Sequence, residues 1–409
     1  MPQINKTVVS DSAPAASPST WTTARVALTA FFALDGFLFA GWVVRIPAIK
    51  AQVHASAGQL GLALLCVSIG AVLVMGPVGR LCVRYGNHPV IAAAGIVVCA
   101  AVALPPQTHS VLALGGALLL FGAGYGAMNV GINSAAVDLI ASIRRPVMPA
   151  FHAAYSMGGL IGASLGGLLA SHLTASQHLG LLAVFGLAVT AAAGVPLLRH
   201  RVAPAAGAVV KDSAASPAAE LPKGPVLLVL LLGLVALCDA YGEGALADWG
   251  TLHLSSDLHA TASVAAAGFA AYSLAMTTGR LSGTRLVERF GPTQVMVGGS
   301  ALASAGMLVA ALSPWLPLAL GGFLLVGLGL SNIFPLAIDR AGALNGPKGV
   351  ATASILGYGG MVFGPPIIGF LAQGLGLPLA LLSVAVLAAL AGVAALAVRR
   401  ATARGAAAG

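Results

Sequence analysis

Long apolar runs dominate this chain of 409 residues, and many reach the roughly 20 residues that a helix needs to cross a membrane. Charged residues make up only 8% of the chain, whereas a soluble domain carries charge at roughly a quarter of its positions. A bilayer admits only helices and closed barrels as spanning structures. Because the runs lack the period-2 alternation of barrel strands, the sequence predicts an all-α integral membrane protein.

Twelve helices fit this pattern. The first six are predicted near 24–46, 58–78, 89–106, 111–136, 150–171 and 179–199, and the second six near 225–247, 262–283, 293–312, 316–339, 350–373 and 377–398. The predicted organisation is a disordered N-terminal tail at 1–23, a six-helix bundle at 24–199, a polar linker at 200–224, a second bundle at 225–398 and a C-terminal tail at 399–409.

The two predicted bundles share an internal repeat. The segment 80–86, RLCVRYG, recurs 205 residues later at 285–291 as RLVERFG. Phe121 to Gly124 align with Val326 to Gly329 at the same offset, and Asp35 precedes Asp239 by 204 residues. Several matches at nearly one offset predict two homologous halves, an arrangement typical of secondary transporters.

The positive charges are distributed unevenly between the predicted loops. The formal net charge is +9, and the basic residues cluster between alternate apolar runs, at Arg80 and Arg84, Arg144 and Arg145, Arg199 and Arg201, Arg285 and Arg289, and Arg399 and Arg400. This bias predicts that these loops and both termini lie in the cytoplasm, in a bacterial inner membrane. The same clustering argues against a nucleic-acid partner.

The repeated basic segment resembles the loop signature of the major facilitator superfamily, Gly-x-Leu-x-Asp-Arg-x-Gly. The first copy matches at Gly79, Leu81, Arg84 and Gly86, with Val83 in place of the acid; the second matches at Leu286, Glu288, Arg289 and Gly291, with Thr284 in place of the first glycine. The resemblance covers roughly 23–398, and the segment 242–249 is distantly similar to the fucose and other sugar permeases. It implies two pseudo-symmetric six-helix bundles around a central cavity lined by the first, fourth, seventh and tenth helices.

The resemblance also implies a cytoplasmic latch between the two bundles. Guanidinium groups in the basic segments can cap helix carbonyls and pair with carboxylates, then release when the bundles separate. The predicted latch residues are Gly79, Arg80, Arg84, Gly86, Asp138, Arg285, Glu288, Arg289, Gly291 and Asp339. The alternative is that these arginines only set the membrane topology.

Three acids fall within or next to apolar runs, where a charge costs at least about 2.5–3.5 kcal/mol. They are Asp35 in the first helix and Asp239 and Glu243, spaced i, i+4, in the seventh. Two carboxylates this close in a low dielectric cannot both ionise cheaply, so we expect one to hold a proton near neutral pH. We predict that these residues carry protons. In the alternative interpretation, Glu243 is solvated near the external interface, and Asp35 forms hydrogen bonds with neighbouring helices.

Polar and aromatic side chains in the helices are candidates for substrate contacts. Asparagine offers donors and an acceptor without net charge, and tyrosine and tryptophan combine a flat apolar face with one polar group. The predicted contacts are Trp42, Asn129, Asn133, Tyr155, Asn332 and Tyr358. Asn129 and Asn133 equally suit hydrogen bonds between helices. Few basic residues reach the predicted mid-membrane region, which disfavours a strongly anionic substrate, although Arg45 is expected near an external vestibule.

These observations predict a secondary transporter that works by alternating access and is driven by the proton gradient. No ATPase motif or catalytic constellation is visible, so we expect neither an enzyme nor a cofactor. Two directions of transport are open: import of a small polar metabolite and export of an amphipathic compound. The second is an alternative because Gly158, Gly162 and Gly166 resemble an exporter signature, although this chain has Ala163 where the signature has proline. A receptor of the same fold is a further alternative. We expect a monomer whose partners are membrane lipid and a small solute.

Overall fold

The computed structural model describes residues 22–143, 147–199 and 223–407, so most of the predicted N-terminal tail at 1–23 and most of the predicted linker at 200–224 lie outside the described residues. All regular elements within these ranges are helical. The α-helices are α1 (Thr23–Val43), α2 (Ile46–Gln52), α3 (Ala57–Tyr85), α4 (Asn87–Val102), α5 (Val111–Ile143), α6 (Met148–Leu169), α7 (Ala175–Arg199), α8 (Lys223–Ala245), α9 (Thr251–Ser256), α10 (Ala262–Phe290), α11 (Pro292–Leu312), α12 (Leu316–Leu330), α13 (Ile333–Leu375) and α14 (Leu377–Ala407).

Ten segments among the described residues are long and apolar enough to cross a membrane. The helices α6 and α10 are less apolar, but their 22 and 29 residues also suffice for a span of roughly 30 Å. The long helix α13 supplies the end of one span and all of the next. A Cβ added to Gly357 would lie 2.6 Å from the ring of Phe334. In a straight helix these two residues would be about 34 Å apart along the axis, so α13 bends back on itself.

The internal repeat is visible in the helix ends. Ser56 and Thr261, 205 residues apart, cap α3 and α10, and each side-chain hydroxyl accepts a hydrogen bond from the backbone N–H three residues on, at 3.2 and 3.4 Å. Such a cap typically contributes about 1 kcal/mol. The other ends of the same helices are followed by Gly86 and Gly291, whose φ values of 87° and 81° favour glycine.

Both basic segments are therefore helical up to these glycines, and α3 and α10 extend seven residues beyond the predicted ends at 78 and 283. The structure also contains elements that the hydropathy pattern did not predict. These are the short helices α2 and α9 and a π-helical turn at Leu246–Gly250. At the C-terminus, α14 continues to Ala407, so the described part of the predicted tail is helical.

Helix packing repeats in the two halves. α1 packs on α6 and α7 as α8 packs on α13 and α14, and α4 packs on α5 and α7 as α11 packs on α12 and α14. Between the halves, α3 contacts α13 and α6 contacts α10, two contacts that a two-fold rotation would exchange. The twelve membrane-length segments of the described chain thus form two pseudo-symmetric six-helix bundles.

Among the described residues, the halves pack closely together at one membrane face. The terminal face is the membrane face at which α3, α7, α10 and α14 end. The other membrane face, which carries α2 and α9, is called the opposite face. Near the opposite face, a Cβ on Gly61 of α3 would lie 2.6 Å from the Pro365 carbonyl of α13. Gly76 and Gly79 continue the same side of α3 toward the terminal face, and a Cβ there would meet no atom within 4 Å. The cleft between the halves therefore opens toward the terminal face.

Candidate functional site

Asp35 lies near the middle of α1, where glycines bring α6 unusually close. A Cβ on Gly158 would overlap the carbonyl of Ala33, and a Cβ on Gly162 would lie 2.5 Å from the carbonyl oxygen of Phe37. Small residues at this spacing let helix backbones approach in a membrane. Asp35 is completely buried, and neither of its carboxylate oxygens accepts a well-formed hydrogen bond, although the Asn129 amide of α5 is near enough to interact with it.

Asp239 has the equivalent position in the second half. It is 1% exposed, and neither carboxylate oxygen has a hydrogen-bond partner with good geometry. The glycine contact is also repeated, because a Cβ on Gly360 of α13 would overlap the carbonyl of Leu237, two residues before Asp239. Unpaired buried carboxyl groups are costly to keep, so two of them at related positions indicate a functional requirement.

Glu243 is one turn beyond Asp239 on α8, as the i, i+4 spacing predicts, and it forms an ion pair that the sequence did not reveal. Its Oε1 lies 2.8 Å from Nη2 of Arg280 on α10. Arg280 also interacts electrostatically with Asp239 and with Tyr272. A positive charge therefore lies among the predicted proton-carrying acids, which weakens the argument that disfavoured a strongly anionic substrate.

A break in the tenth predicted helix completes the Arg280 environment. α12 ends at Leu330 and α13 begins at Ile333, as expected from Pro335, which has no N–H to donate to the carbonyl of Ser331. That carbonyl instead accepts a 3.4 Å hydrogen bond from Arg280 Nε. The predicted substrate contact Asn332 donates its amide to the Gly279 carbonyl at 2.9 Å, so it connects the break to α10.

Tyrosines at the cleft lie within electrostatic range of groups in the other half. The hydroxyl groups of Tyr155 on α6 and Tyr125 on α5 are 2.8 Å apart. Tyr155 interacts electrostatically with Asp35 in its own half and with Arg280 and Glu243 in the other. Tyr358, another predicted contact, is 49% exposed and lies within electrostatic range of Tyr125. The predicted Tyr155 and Tyr358 thus belong to one cluster with the acids.

The remaining predicted contacts have mostly structural surroundings. The Asn133 amide donates to the backbone carbonyl of Asn129 at 2.8 Å, a bond within α5 rather than between helices. Trp42 is 1% exposed, and its ring packs against Phe121. Contact of Trp42, Asn129 and Asn133 with a substrate stays a prediction.

Arg45 does not face an external vestibule, contrary to the expectation. Its side chain is 4% exposed, and its Nε donates to His178 Nδ1 at 2.9 Å. Nη2 lies 3.4 Å from the Leu169 carbonyl. Burial lowers the pKa of Arg45, but from so high a value that the guanidinium stays charged. It connects α1, α6 and α7 at the opposite face.

The predicted latch residues lie around the terminal-face end of the cleft. Arg80, Arg84, Arg285, Glu288, Arg289 and Asp339 are all exposed. In the described part of the chain none of these six forms an ion pair, and Arg84 and Arg289 lie over the rings of the adjacent Tyr85 and Phe290. Asp138 accepts a 2.6 Å hydrogen bond from Asn87 within the first half. A latch between the halves would require a conformation closed at the terminal face.

A second cavity, of about 620 Å³, includes Leu237 and Gly360, two residues that pack together close to Asp239. It is bounded by α8, α13 and α14, and its lining is almost wholly apolar, with Leu237, Phe363 and Val386 among its residues. We assign the site to the cleft, because that is where titratable groups from both halves meet.

Comparison with known proteins identifies the family. The model of the Major Facilitator Superfamily matches residues 26–247 and again 232–408, one match for each half. The chain belongs to the Major Facilitator Superfamily. It is 34% identical to an MFS-type transporter of Yersinia pestis over 84% of this chain and 87% of that protein, and 33% identical to a transporter of Sinorhizobium fredii over 90% and 96%. It is 29% identical to the membrane protein MosC of Rhizobium meliloti over 86% and 84%.

Solved structures share the fold at low sequence identity. A bacterial homologue of the human lysosomal transporter Spinster, in an inward-facing and occupied conformation, superposes with a TM-score of 0.74 at 15% identity, covering 92% of this chain and 96% of that one. A point mutant of the nucleoside transporter NupG gives 0.71 at 15% identity, covering 93% and 100%. This protein is therefore a multi-pass membrane protein of the MFS transporter type, and the predicted family and fold are confirmed.

Proposed function

We propose that the protein is a proton-coupled secondary transporter that moves a small solute by alternating access. The observation that carries the proposal is that Tyr155, at a cleft that opens to one face, lies within electrostatic range of Asp35 in the first half and of Glu243 in the second, with Asp239 one turn from Glu243. Among the described residues, neither Asp35 nor Asp239 accepts a well-formed hydrogen bond in this conformation. Protonation lowers the cost of a buried carboxyl group, so proton binding can change the relative stability of the two conformations.

The terminal face is the cytoplasmic side of a bacterial inner membrane in this proposal. The basic ends of α3, α7, α10 and α14 lie at that face, as the positive-inside rule requires. One chain supplies both halves of the cleft, so a monomer embedded in lipid suffices. The direction of transport follows from the response to a pH gradient: a symporter accumulates solute on the side to which protons flow, and an exporter working as an antiporter does the reverse.

The first experiment tests proton-driven conformational change and needs no substrate. In a chain with Cys66, Cys82, Cys99 and Cys238 replaced by alanine, spin labels are attached to one of two cysteine pairs. Val83→Cys with Thr284→Cys reports on the terminal face, and Ala51→Cys with Ser256→Cys reports on the opposite face. We expect acidification from about pH 8 to about pH 5 to shift both distance distributions in opposite directions.

The carboxylates are then tested one at a time. Asp35→Asn and Asp239→Asn should each hold the distributions near their acidic form and reduce the pH response. Distances that ignore pH in the wild-type protein would refute proton coupling. A thermal-shift screen against sugars, nucleosides, amino acids and drugs, followed by saturable flux in proteoliposomes, then separates a carrier from a receptor.

A further inference from the structure

Arg280 carries a positive charge well inside α10, ten residues before the helix ends at Phe290. A charge within a membrane-spanning segment is costly and usually marks a functional position. Arg280 forms its ion pair with Glu243, yet 36% of its side chain remains exposed, against 26% for Glu243. The Arg280 side chain is therefore the more exposed of the pair.

The guanidinium has hydrogen-bonding capacity to spare. Of its five N–H groups, one on Nη2 points to Glu243, and the one on Nε makes a long 3.4 Å bond to the Ser331 carbonyl. The other three donate to no residue in the part of the chain that the structure describes. A planar cation with free, parallel donors matches the two oxygens of a carboxylate group.

The side chains of the acids around Arg280 are less exposed than the side chain of Arg280. Asp239 is 1% exposed and Asp35 is fully buried, so a solute that enters the cleft meets Arg280 and Glu243 before either of them. An amine would be repelled by the guanidinium and would have to reach carboxylates that the protein covers. The accessible charge thus favours an anionic group on the solute.

Charge balance links the entry of an anion to the uptake of a proton. The groups that face Arg280 are Glu243 and Asp239 from α8, Tyr272 from its own helix, and His152 and Tyr155 from α6. One ionised acid already neutralises the cation, so a solute anion would leave an excess negative charge in a region of low dielectric. A proton taken from the aqueous phase by Glu243 removes that excess.

From this geometry, and resting on the proposed function, we infer that the transported solute is a small organic monocarboxylate. Its carboxylate replaces that of Glu243 at Arg280, while Glu243 accepts one proton on a carboxylate oxygen, so that one proton moves with each anion. Tyr155 and His152 belong to the other half of the molecule. A solute held at Arg280 therefore contacts both halves and can favour their closure around it.

The test uses sets of compounds that share a body and differ in charge. The sets are lactate, lactamide and 1-amino-2-propanol; benzoate, benzamide and benzylamine; and glucuronate, glucose and glucosamine. Binding is measured as a shift of the melting temperature, and coupling as proton uptake into proteoliposomes when the compound is supplied outside. We expect at least one carboxylate to stabilise the protein and to carry protons inward, whereas its amide, neutral or amine counterpart does neither.

Two variants separate anion binding from coupling. Arg280→Gln should weaken binding of the active carboxylate by about tenfold or more, whereas Arg199→Gln, the same change at the exposed end of α7, should leave it unaltered. Glu243→Gln removes the competing carboxylate, so the anion should bind more tightly and exchange across the membrane without proton uptake. A merely structural role of the pair would instead weaken binding and exchange together in both variants.

A response to the neutral or amine compounds instead of the carboxylates would overturn the inference, and so would a wild-type protein that responds to no carboxylate. Retained affinity in Arg280→Gln would overturn it as well. The spin-label experiment uses no substrate, so its outcome is independent. If the distances respond to pH and carboxylates have no effect, only the inference fails; if the distances ignore pH, the proposed function fails.

Discussion

Asp35 and Asp239 occupy equivalent positions in the two halves, each two residues beyond a backbone carbonyl against which a glycine of a partner helix packs. Both side chains are buried, and neither makes a well-formed hydrogen bond. The two halves thus present the same chemical group to the same junction. The equivalence ends one turn later, because only Asp239 is followed by a second acid, Glu243, that is paired with an arginine.

We expect Asp35→Asn to uncouple transport without harming the fold. Replacing a buried carboxyl group by a neutral amide of the same shape removes the cost of burying a charge, so the melting temperature should rise, with a gain of roughly 1–3 kcal/mol in the free energy of unfolding. Accumulation driven by a pH gradient should fall by about tenfold or more, whereas exchange at equal pH should persist. Asp257→Asn, the same change near the opposite face, is the control. Full gradient-driven accumulation in Asp35→Asn would contradict a proton-carrying role.

The glycine contacts beside the two acids give a stability prediction with adjacent controls. A Cβ on Gly158 would overlap the Ala33 carbonyl, whereas one on Gly159 would have 3.7 Å to its nearest neighbour. Gly158→Ala should therefore cost about 1–3 kcal/mol and Gly159→Ala close to nothing. The second half offers the same pair in Gly360→Ala and Gly359→Ala. Thermal unfolding of the four purified variants is the measurement, and equal losses in each pair would show that the packing is looser than described.

A disulfide across the opposite face should stop transport reversibly. A Cβ on Gly167 of α6 would lie 2.9 Å from that of Ala266 on α10, so a shift of under 1 Å brings a cysteine pair to disulfide geometry. We expect Gly167→Cys with Ala266→Cys to lose flux on oxidation and to regain it on reduction. In the control, Gly194→Cys with Ala92→Cys, the two Cβ atoms lie 3.7 Å apart inside the first half. Flux that survives the first cross-link would argue against separation of the halves at this face.

The fold could be predicted from the sequence because membrane helices and an internal repeat leave strong local signals. The apolar runs mark the spans, and residues such as Ser56 and Thr261 repeat the helix caps at one offset. Because charge normally ends a membrane span, the sequence predicts loops at the two basic segments. Their arginines instead lie on exposed helix surfaces, where they do not interrupt the helix. Gly86 and Gly291, with positive φ, end the helices instead.

The charged cluster could be predicted only in part, for a physical reason. Asp239 and Glu243 share a helix face, so their spacing revealed them. Arg280 is 37 residues from Glu243 on a different helix, and only the packing of α8 against neighbouring helices brings the two together. The available signal was an arginine within the predicted span 262–283, five residues before the repeated basic segment, but the spacing along one helix does not show which acid of another helix it faces.

We expect Arg84→Ala to slow transport while membrane insertion and stability stay normal. Arg84 is exposed and pairs with no acid among the described residues, so its loss should not affect the state that the structure describes. In the state closed at the terminal face, the residue can pair with carboxylates of the cleft entrance. Turnover is measured in proteoliposomes, with Arg199→Ala as the control for a basic residue that only sets topology. Unchanged turnover in Arg84→Ala would leave topology as its sole role.

The helix break beside Arg280 provides the last prediction. Pro335 leaves the Ser331 carbonyl without a helical partner, and Arg280 Nε uses that carbonyl instead. Pro335→Ala restores an N–H, so we expect α12 and α13 to join into a straighter helix, the melting temperature to rise and turnover to fall. Pro196→Ala, at the interior proline of α7, should also stabilise the protein yet keep normal turnover. If Pro335→Ala transports at the wild-type rate, the break has no part in positioning Arg280.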